Sequence, residues 1–180
     1  HALQARYLQE NMPCFIGESR AILEVMDFIE DVAKSPDTPV LLIGETGTGK
    51  ELIAEAVHNA SSRAAMPLIK VNCASISREL YESEFFGHVP GAFTGAERIK
   101  KGHLEVAHRG TLFMDEIGEI EKSLQPKLLR VLENKQIERV GDHRSVDVDV
   151  RIISATHQNL VTLIEQQQFR EDLYFRINVI

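Results

Sequence analysis

The fold of this chain follows from one stretch, residues 39–50, which read PVLLIGETGTGK. Its apolar part, residues 39–43, predicts a buried parallel strand. The rest fits the pattern G-x-x-x-x-G-K, whose glycines let backbone N–H groups turn inward around phosphate oxygens. A helix is expected to begin near Lys50, and its positive end would attract the same anion. The stretch therefore predicts a phosphate-binding loop between a strand and a helix, with ATP as its ligand.

The residues of this loop, together with the residue after it, are candidate nucleotide-binding residues. They are Gly44, Glu45, Thr46, Gly47, Thr48, Gly49, Lys50 and Glu51. The Lys50 ammonium would neutralise charge on the outer phosphates. Glu51 departs from the general motif, in which Ser or Thr follows the lysine and holds Mg²⁺. A carboxylate there could still approach the metal, directly or through water.

Strands and helices are predicted to alternate along the rest of the chain. Further strands are expected at residues 68–71, 112–114 and 148–154, and helices at 19–34, 50–61, 123–134 and 160–167. The predicted strand at 112–114 is followed directly by Asp115 and Glu116. Such alternation predicts a three-layer α/β fold around a mostly parallel sheet. Ligands bind at the carboxyl ends of strands in these folds, so Asp115 is a candidate for holding Mg²⁺ through water, and Glu116 for orienting the attacking water.

Composition narrows the functional classes. The chain has 180 residues and a net charge of −7. This acidic balance argues against the segment being the main nucleic-acid-binding region. No apolar run approaches the roughly 20 residues of a membrane span. Cys14 and Cys73 are expected to be buried thiols in a reducing compartment, and the seven histidines fit no metal pattern. A cytoplasmic protein is therefore expected, with residues 1–14 as a linker into the domain.

One hexapeptide, GAFTGA, names a family. It comprises Gly91, Ala92, Phe93, Thr94, Gly95 and Ala96. Its composition predicts a small-residue loop with one exposed aromatic, Phe93, which is an unusual use of phenylalanine unless the loop touches a partner. The spelling is the signature of the bacterial enhancer-binding proteins, the AAA+ activators of sigma-54 RNA polymerase, and the chain resembles this family.

The resemblance covers residues 15–180 and implies the α/β subdomain of an AAA+ P-loop NTPase. The matching segments are 15–19 (FIGES), 44–51 (GETGTGKE), 71–73 (VNC), 110–117 (GTLFMDEI), 151–157 (RIISATH) and 169–179 (FREDLYFRINV). The family carries Glu after the lysine, so Glu51 fits it. The first segment resembles the start of the family's domain, and its Ile16 and Gly17 become expected nucleotide-binding residues.

The same resemblance implies further roles, residue by residue. Asn72 would hold Glu116 in one of two positions and so link the ATP state to the GAFTGA loop. Thr156 would sense the γ-phosphate. Arg170 and Arg176 would reach into the ATP site of a neighbouring subunit. Phe93 and Thr94 at the loop tip would engage sigma-54.

The implied partners are the sigma-54 RNA polymerase holoenzyme and further copies of the chain in a hexameric or heptameric ring. Contact with DNA would come through a domain outside these residues, and no membrane is implied. The family's helical lid is expected after Ile180, and a fragment without it would hold ATP weakly. Two other readings stay open: an unrelated P-loop enzyme such as a small-molecule kinase, and a nucleotide-dependent interaction module without catalysis.

Overall fold

The computed structural model describes residues 19–180. Its helices are α1 Arg20–Ala33, α2 Lys50–Ala60, α3 Arg78–Phe86, α4 His103–Val106, α5 Gln125–Asn134, α6 Leu160–Glu165 and α7 Glu171–Ile177. Its strands are β1 Val40–Ile43, β2 Leu68–Asn72, β3 Thr111–Asp115, β4 Gln136–Glu138, β5 Ser145–Asp147 and β6 Arg151–Thr156. Short 3-10 turns follow β2 at Cys73–Ser75 and β3 at Ile117–Glu119.

The central sheet has four strands in the order β1-β6-β3-β2, and every neighbouring pair is parallel. Parallel strands need crossover connections, which the intervening helices supply. All four carboxyl ends consequently lie along one edge of the sheet. That edge carries the glycine-rich loop after β1, Thr156 on β6, Asp115 on β3 and Asn72 on β2. We call it the nucleotide edge.

Helices cover both faces of the sheet. Neighbouring residues of one strand enter opposite hydrophobic layers, as Ile152 and Ile153 do in β6 and Leu112 and Phe113 do in β3. This alternation follows from the period of two in strand side chains. The three-layer α/β fold predicted from the sequence is therefore confirmed.

Helix α1 shows why the local sequence folds as it does. The Ser19 hydroxyl accepts a hydrogen bond from the Ile22 backbone N–H at 3.3 Å and caps the helix. Met26, Ile29 and Val32 recur at helical spacing and are all buried against the sheet.

The strand predicted at residues 148–154 is β6, and it begins later, at Arg151. Residues before it serve other partners: the Val148 N–H donates to the Lys135 carbonyl at 2.8 Å. Three helices, α3, α4 and α7, and the β4–β5 hairpin were not predicted as elements. They are short or carry mixed polar sequences, so their periodicity is weak.

A buried guanidinium ties the opposite, amino-end edge of the sheet together. Arg63 bonds to the carboxylates of Asp37, just before β1, and Asp149, just before β6, the latter at 2.8 Å. It also donates to the Gly110 carbonyl, just before β3, at 3.2 Å. One side chain thus fixes the starts of three neighbouring strands.

Two further predictions concern single features. Cys73 is buried, as expected, and burial raises the pKa of its thiol to about 12; Cys14 lies outside the described residues. Among residues 19–180, no helix is both long and apolar enough to cross a membrane.

Candidate nucleotide-binding site

The glycine-rich loop has the backbone that its sequence predicts. Gly47 and Gly49 have φ angles of 81° and 87°, in a backbone region that residues other than glycine rarely adopt. The Thr48 hydroxyl donates to the Glu45 carbonyl at 2.7 Å and closes the turn. A Cβ on Gly44 would stand 3.0 Å from that hydroxyl. The loop is therefore a tight cradle, with Gly44–Lys50 between β1 and α2 as predicted.

Lys50 lies beneath this cradle. Its side chain is buried, with 8% of the residue exposed, and its ammonium donates to the carbonyls of Gly44 and Glu45, both at 2.8 Å. The carbonyls hold the positive charge under the loop and leave the ammonium a third N–H. A phosphate entering the cradle would meet both this charge and the first turn of α2.

Glu51 points to a different partner from the one expected. Its carboxylate accepts a hydrogen bond from the Lys70 ammonium at 2.8 Å, and Glu55 pairs with the same lysine. Burial lowers the pKa of Lys70, but the hydrogen bonds and charges of the two glutamates outweigh it and raise the pKa. Glu51 therefore joins α2 to β2 through an ion pair, and nothing in this arrangement aims it at a metal.

Asp115 and Glu116 lie where β3 reaches the nucleotide edge. Glu116 has φ 53° and ψ 51°, a left-handed conformation that is uncommon for glutamate. Its N–H donates to the Asp115 carboxylate at 3.0 Å. Its own carboxylate contacts His157 Nδ1 at 2.7 Å. The chain thus turns sharply after Asp115, and the two carboxylates serve different partners.

Asn72 does not contact Glu116 in this structure, so the position in which it would hold that carboxylate stays a prediction. Its side-chain oxygen accepts a hydrogen bond from the Ala74 N–H at 2.9 Å and caps the 3-10 turn after β2. The strand register nevertheless sets Asn72 directly beside Asp115. Asn72 therefore lies next to the acidic pair, but the Glu116 carboxylate contacts His157 instead. No sequence motif predicts a separate role for His157.

Thr156 lies beside the phosphate loop, as expected of a sensor residue. It is fully buried, and its carbonyl accepts from the Gly44 N–H at 3.2 Å. Its hydroxyl accepts from the Gln158 N–H at 3.0 Å. The end of β6 is therefore bonded to the first residue of the loop.

The two candidate arginine fingers are exposed. Arg170 forms a two-pronged ion pair with Asp172, at 2.9 and 2.6 Å. Arg176 donates to the Leu132 carbonyl at 3.2 Å and lines a cavity with Pro39 and Val150, the residues just before β1 and β6. Arg176 consequently lies at the amino-end edge, opposite its own phosphate loop.

The GAFTGA segment forms a compact exposed loop between α3 and α4. The Gly91 N–H donates to the Ala96 carbonyl at 2.7 Å and closes its base. Gly91, Phe93, Thr94 and Gly95 are exposed, whereas Ala96 is buried and anchors the loop. The Phe93 ring packs edge-on against the His88 imidazole, with the ring centres 4.9 Å apart. His88 is thus a contact of the loop.

Two further expectations concern the nucleotide contacts of residues 16–17 and the Mg²⁺ ion. Ile16 and Gly17 lie outside the described residues. Within residues 19–180, no group of three or more His, Cys, Asp or Glu side chains is arranged to hold a metal ion. A Mg²⁺ ion here would take one protein carboxylate and complete its shell with phosphate oxygens and water, which is how this ion usually binds beside nucleotides. Asp115 at the end of β3 fits that donor set.

Comparison with known families identifies the chain. The Sigma-54 interaction domain family matches residues 15–180. The chain belongs to this family. A Nif-specific regulatory protein from Herbaspirillum seropedicae is 52% identical to this sigma-54 interaction domain over 178 residues, which are 99% of this chain and 32% of that protein. The chain spans roughly a quarter to a half of the curated relatives that it matches.

Solved structures agree with the fold of this sigma-54 interaction domain. The structure of NtrX from Brucella abortus in complex with ATP matches 98% of this chain and 38% of that one, with a TM-score of 0.86 and 41% identity. The P-loop NTPase domain of an E. coli protein described as a sigma-54 transport activator matches 90% of this chain and 92% of that one, with a TM-score of 0.59 and 17% identity. The P-loop NTPase fold is therefore established.

Proposed function

We propose that residues 15–180 form an ATP-hydrolysing motor domain that remodels the closed complex of sigma-54 RNA polymerase and so activates transcription. The observation that carries this proposal is the nucleotide edge. There a buried Lys50 under a glycine cradle, the Asp115–Glu116 pair and Thr156 meet at the ends of adjacent strands. Membership of the sigma-54 interaction domain family and the ATP complex of a similar structure support it.

In this proposal, each group at the edge has one task. The loop N–H groups and Lys50 bind the phosphates of ATP. Asp115 would hold Mg²⁺ through water, and that ion, when bound, neutralises charge on the phosphate oxygens. Glu116 orients the attacking water and accepts its proton. Thr156 responds to the γ-phosphate because its strand end is bonded to Gly44.

The exposed arginines support action between subunits. Arg176 lies at the amino-end edge of the sheet, and a four-residue strand such as β1 spans about 13 Å. This length separates the Arg176 side chain from its own phosphate loop, which supports contact with a neighbouring copy. We propose that Arg176 and Arg170 complete the ATP site of the next subunit in a hexameric or heptameric ring.

The GAFTGA loop is the proposed output of the motor. Its base is closed by backbone hydrogen bonds, while Phe93 and Thr94 face solvent. We propose that the ATP state changes the position of this loop, and that Phe93 and Thr94 then engage sigma-54. We propose that contact with promoter DNA is made by a part of the protein outside residues 15–180.

The experiment that tests this function separates ATP turnover from its output. Thr94→Ala in the full-length protein should keep ATP hydrolysis within about twofold, because Thr94 is exposed in the GAFTGA loop and is not one of the residues of the nucleotide edge. It should abolish promoter opening by sigma-54 RNA polymerase, measured as open-complex formation on a supercoiled template. Thr162→Ala, a matched change at an exposed position of α6, should leave both activities intact.

The possible results distinguish the proposal from its rivals. Normal promoter opening by the Thr94→Ala variant would contradict the role of the loop. A nucleotide-dependent interaction module would bind ATP without turning it over. A small-molecule kinase would turn over ATP only when an acceptor substrate is supplied, whereas the motor hydrolyses ATP with water alone.

A further inference from the structure

The carboxylate of Glu116 has a defined partner at the nucleotide edge. His157 Nδ1 lies 2.7 Å from Glu116 Oε2. The Glu116 side chain is 14% exposed and that of His157 is 45% exposed. A contact of this length with a carboxylate is a strong hydrogen bond, so it fixes the direction in which Glu116 points.

Strand order gives this direction a meaning. Strand β3, which leads into Glu116, lies between β6 and β2. His157 follows β6, while Asn72 ends β2, so the two residues flank Glu116 from opposite sides. Strand β6 is also the neighbour of β1, which leads into the phosphate loop. A Glu116 carboxylate held by His157 is therefore turned toward the phosphates, and one held by Asn72 would be turned away from them.

His157 is also joined to the residues that would detect ATP. It lies between Thr156 and Gln158, and the Gln158 N–H donates to the Thr156 hydroxyl at 3.0 Å. The Thr156 carbonyl is in turn bonded to the Gly44 N–H at 3.2 Å. The Gln158 amide bonds to Glu119, in the 3-10 turn that follows Glu116. Residues 156–158 thus bridge the phosphate loop and the turn that carries Glu116.

We propose that His157 is a positioning residue that holds Glu116 on the phosphate side of the site, in competition with Asn72 on the far side. This inference rests on the proposed ATP hydrolysis and adds a second partner for Glu116. Removing His157 lets the carboxylate move toward Asn72, so water activation becomes slower. Phosphate binding should be unaffected, because among residues 19–180 His157 forms its hydrogen bond with Glu116 and none with the loop residues that form the cradle.

The first test compares three variants of the full-length protein with the parent. His157→Ala should lower kcat for ATP hydrolysis roughly tenfold, the scale of one hydrogen bond to a charged group, and leave KM nearly unchanged. His157→Asn places an amide nitrogen close to the position of the imidazole Nδ1 and should restore most of kcat. His143→Ala, at an exposed position of the β4–β5 hairpin, is the matched control and should behave as the parent.

The second test examines the competition directly. If Asn72 draws Glu116 away once His157 is lost, then Asn72→Ala added to His157→Ala should raise kcat above that of His157→Ala alone. Unchanged kcat in His157→Ala, or equal kcat in the alanine and asparagine variants, would overturn the positioning role. A further fall in kcat in the double variant would overturn the competition. Failure of the proposed hydrolysis looks different, since the parent itself would then not turn over ATP, whereas Glu116→Gln at the parent rate would contradict the role of Glu116.

Discussion

The nucleotide edge and the GAFTGA loop are both rich in glycine, but they differ in what surrounds those glycines. At the nucleotide edge, glycines shape a cradle over buried groups: Lys50 is 8% exposed and Thr156 is fully buried. In the GAFTGA loop, a Cβ added at Gly91 or Gly95 would meet nothing within 4 Å. The first region encloses a buried ammonium, and the second is open to solvent. The same residue type thus builds an enclosed site in one part of the fold and an exposed loop in another.

The GAFTGA loop nevertheless has a closely packed stem, formed by residues 87–88 and 100–102 on either side of it. A Cβ at Gly87 would stand 2.3 Å from the Lys100 carbonyl, and one at Gly102 would stand 2.4 Å from the Phe85 carbonyl. His88 pairs with Lys100 and Val140 through isolated β-bridges. The two ends of the loop are therefore held against each other at backbone distance.

The largest expected effect concerns the nucleotide edge. Lys50→Ala removes a buried ammonium and the one hydrogen bond to phosphate that its third N–H can donate, worth about 1.5–3 kcal/mol. ATP affinity should therefore fall about 10- to 150-fold. Titration calorimetry or a fluorescent ATP analogue measures this loss. Lys34→Ala, at an exposed lysine paired with Asp31, is the matched control, and retained affinity in Lys50→Ala would refute the cradle.

A smaller effect should separate the stem of the loop from its tip. Gly87→Ala combines a φ of 76° with a backbone clash, so the free energy of unfolding should fall by about 3 kcal/mol. Gly95→Ala has a φ of 95° but open space, so only backbone strain of about 1–2 kcal/mol is expected. Denaturant unfolding of both variants tests the contrast, and equal losses would show that the stem is no tighter than the tip.

The smallest expected effect is on stability and concerns the amino-end edge of the sheet, where Arg63 joins the starts of three strands. The hydrogen bond from Arg63 lowers the pKa of Asp149, although burial opposes this. A carboxyl whose folded-state pKa is depressed stabilises the fold above its unfolded pKa, near 4, and this contribution is lost as the pH falls through the folded value. Asp149 is 56% exposed, so solvent screening limits the contribution to about 0.2–1 kcal/mol.

Denaturant unfolding between about pH 6 and pH 2 measures this contribution. The parent should lose more stability than Asp149→Asn as the solution is acidified, because the variant has no carboxyl to protonate. Stability curves that stay parallel over the whole range would exclude a folded-state interaction between Arg63 and Asp149.

The sequence by itself determined the fold class, the phosphate loop, the acidic pair and the family. These features depend on local signals: an apolar run, glycines at fixed spacing, and carboxylates at a strand end. Short helices such as α3 and the β4–β5 hairpin lacked such signals, because their stability comes from packing against the rest of the chain.

Only the tertiary structure decided which side chains meet. Glu51 pairs with Lys70, Asn72 caps its own turn, and His157 is the partner of Glu116. These residues lie on different strands and helices, and their distances are set by strand order and crossover connections that no local spacing encodes. The sequence thus determines that a phosphate loop forms, because glycine spacing acts within one turn. The direction of the Glu116 carboxylate depends on β3 and β6, which are distant in the sequence, being neighbours in the sheet.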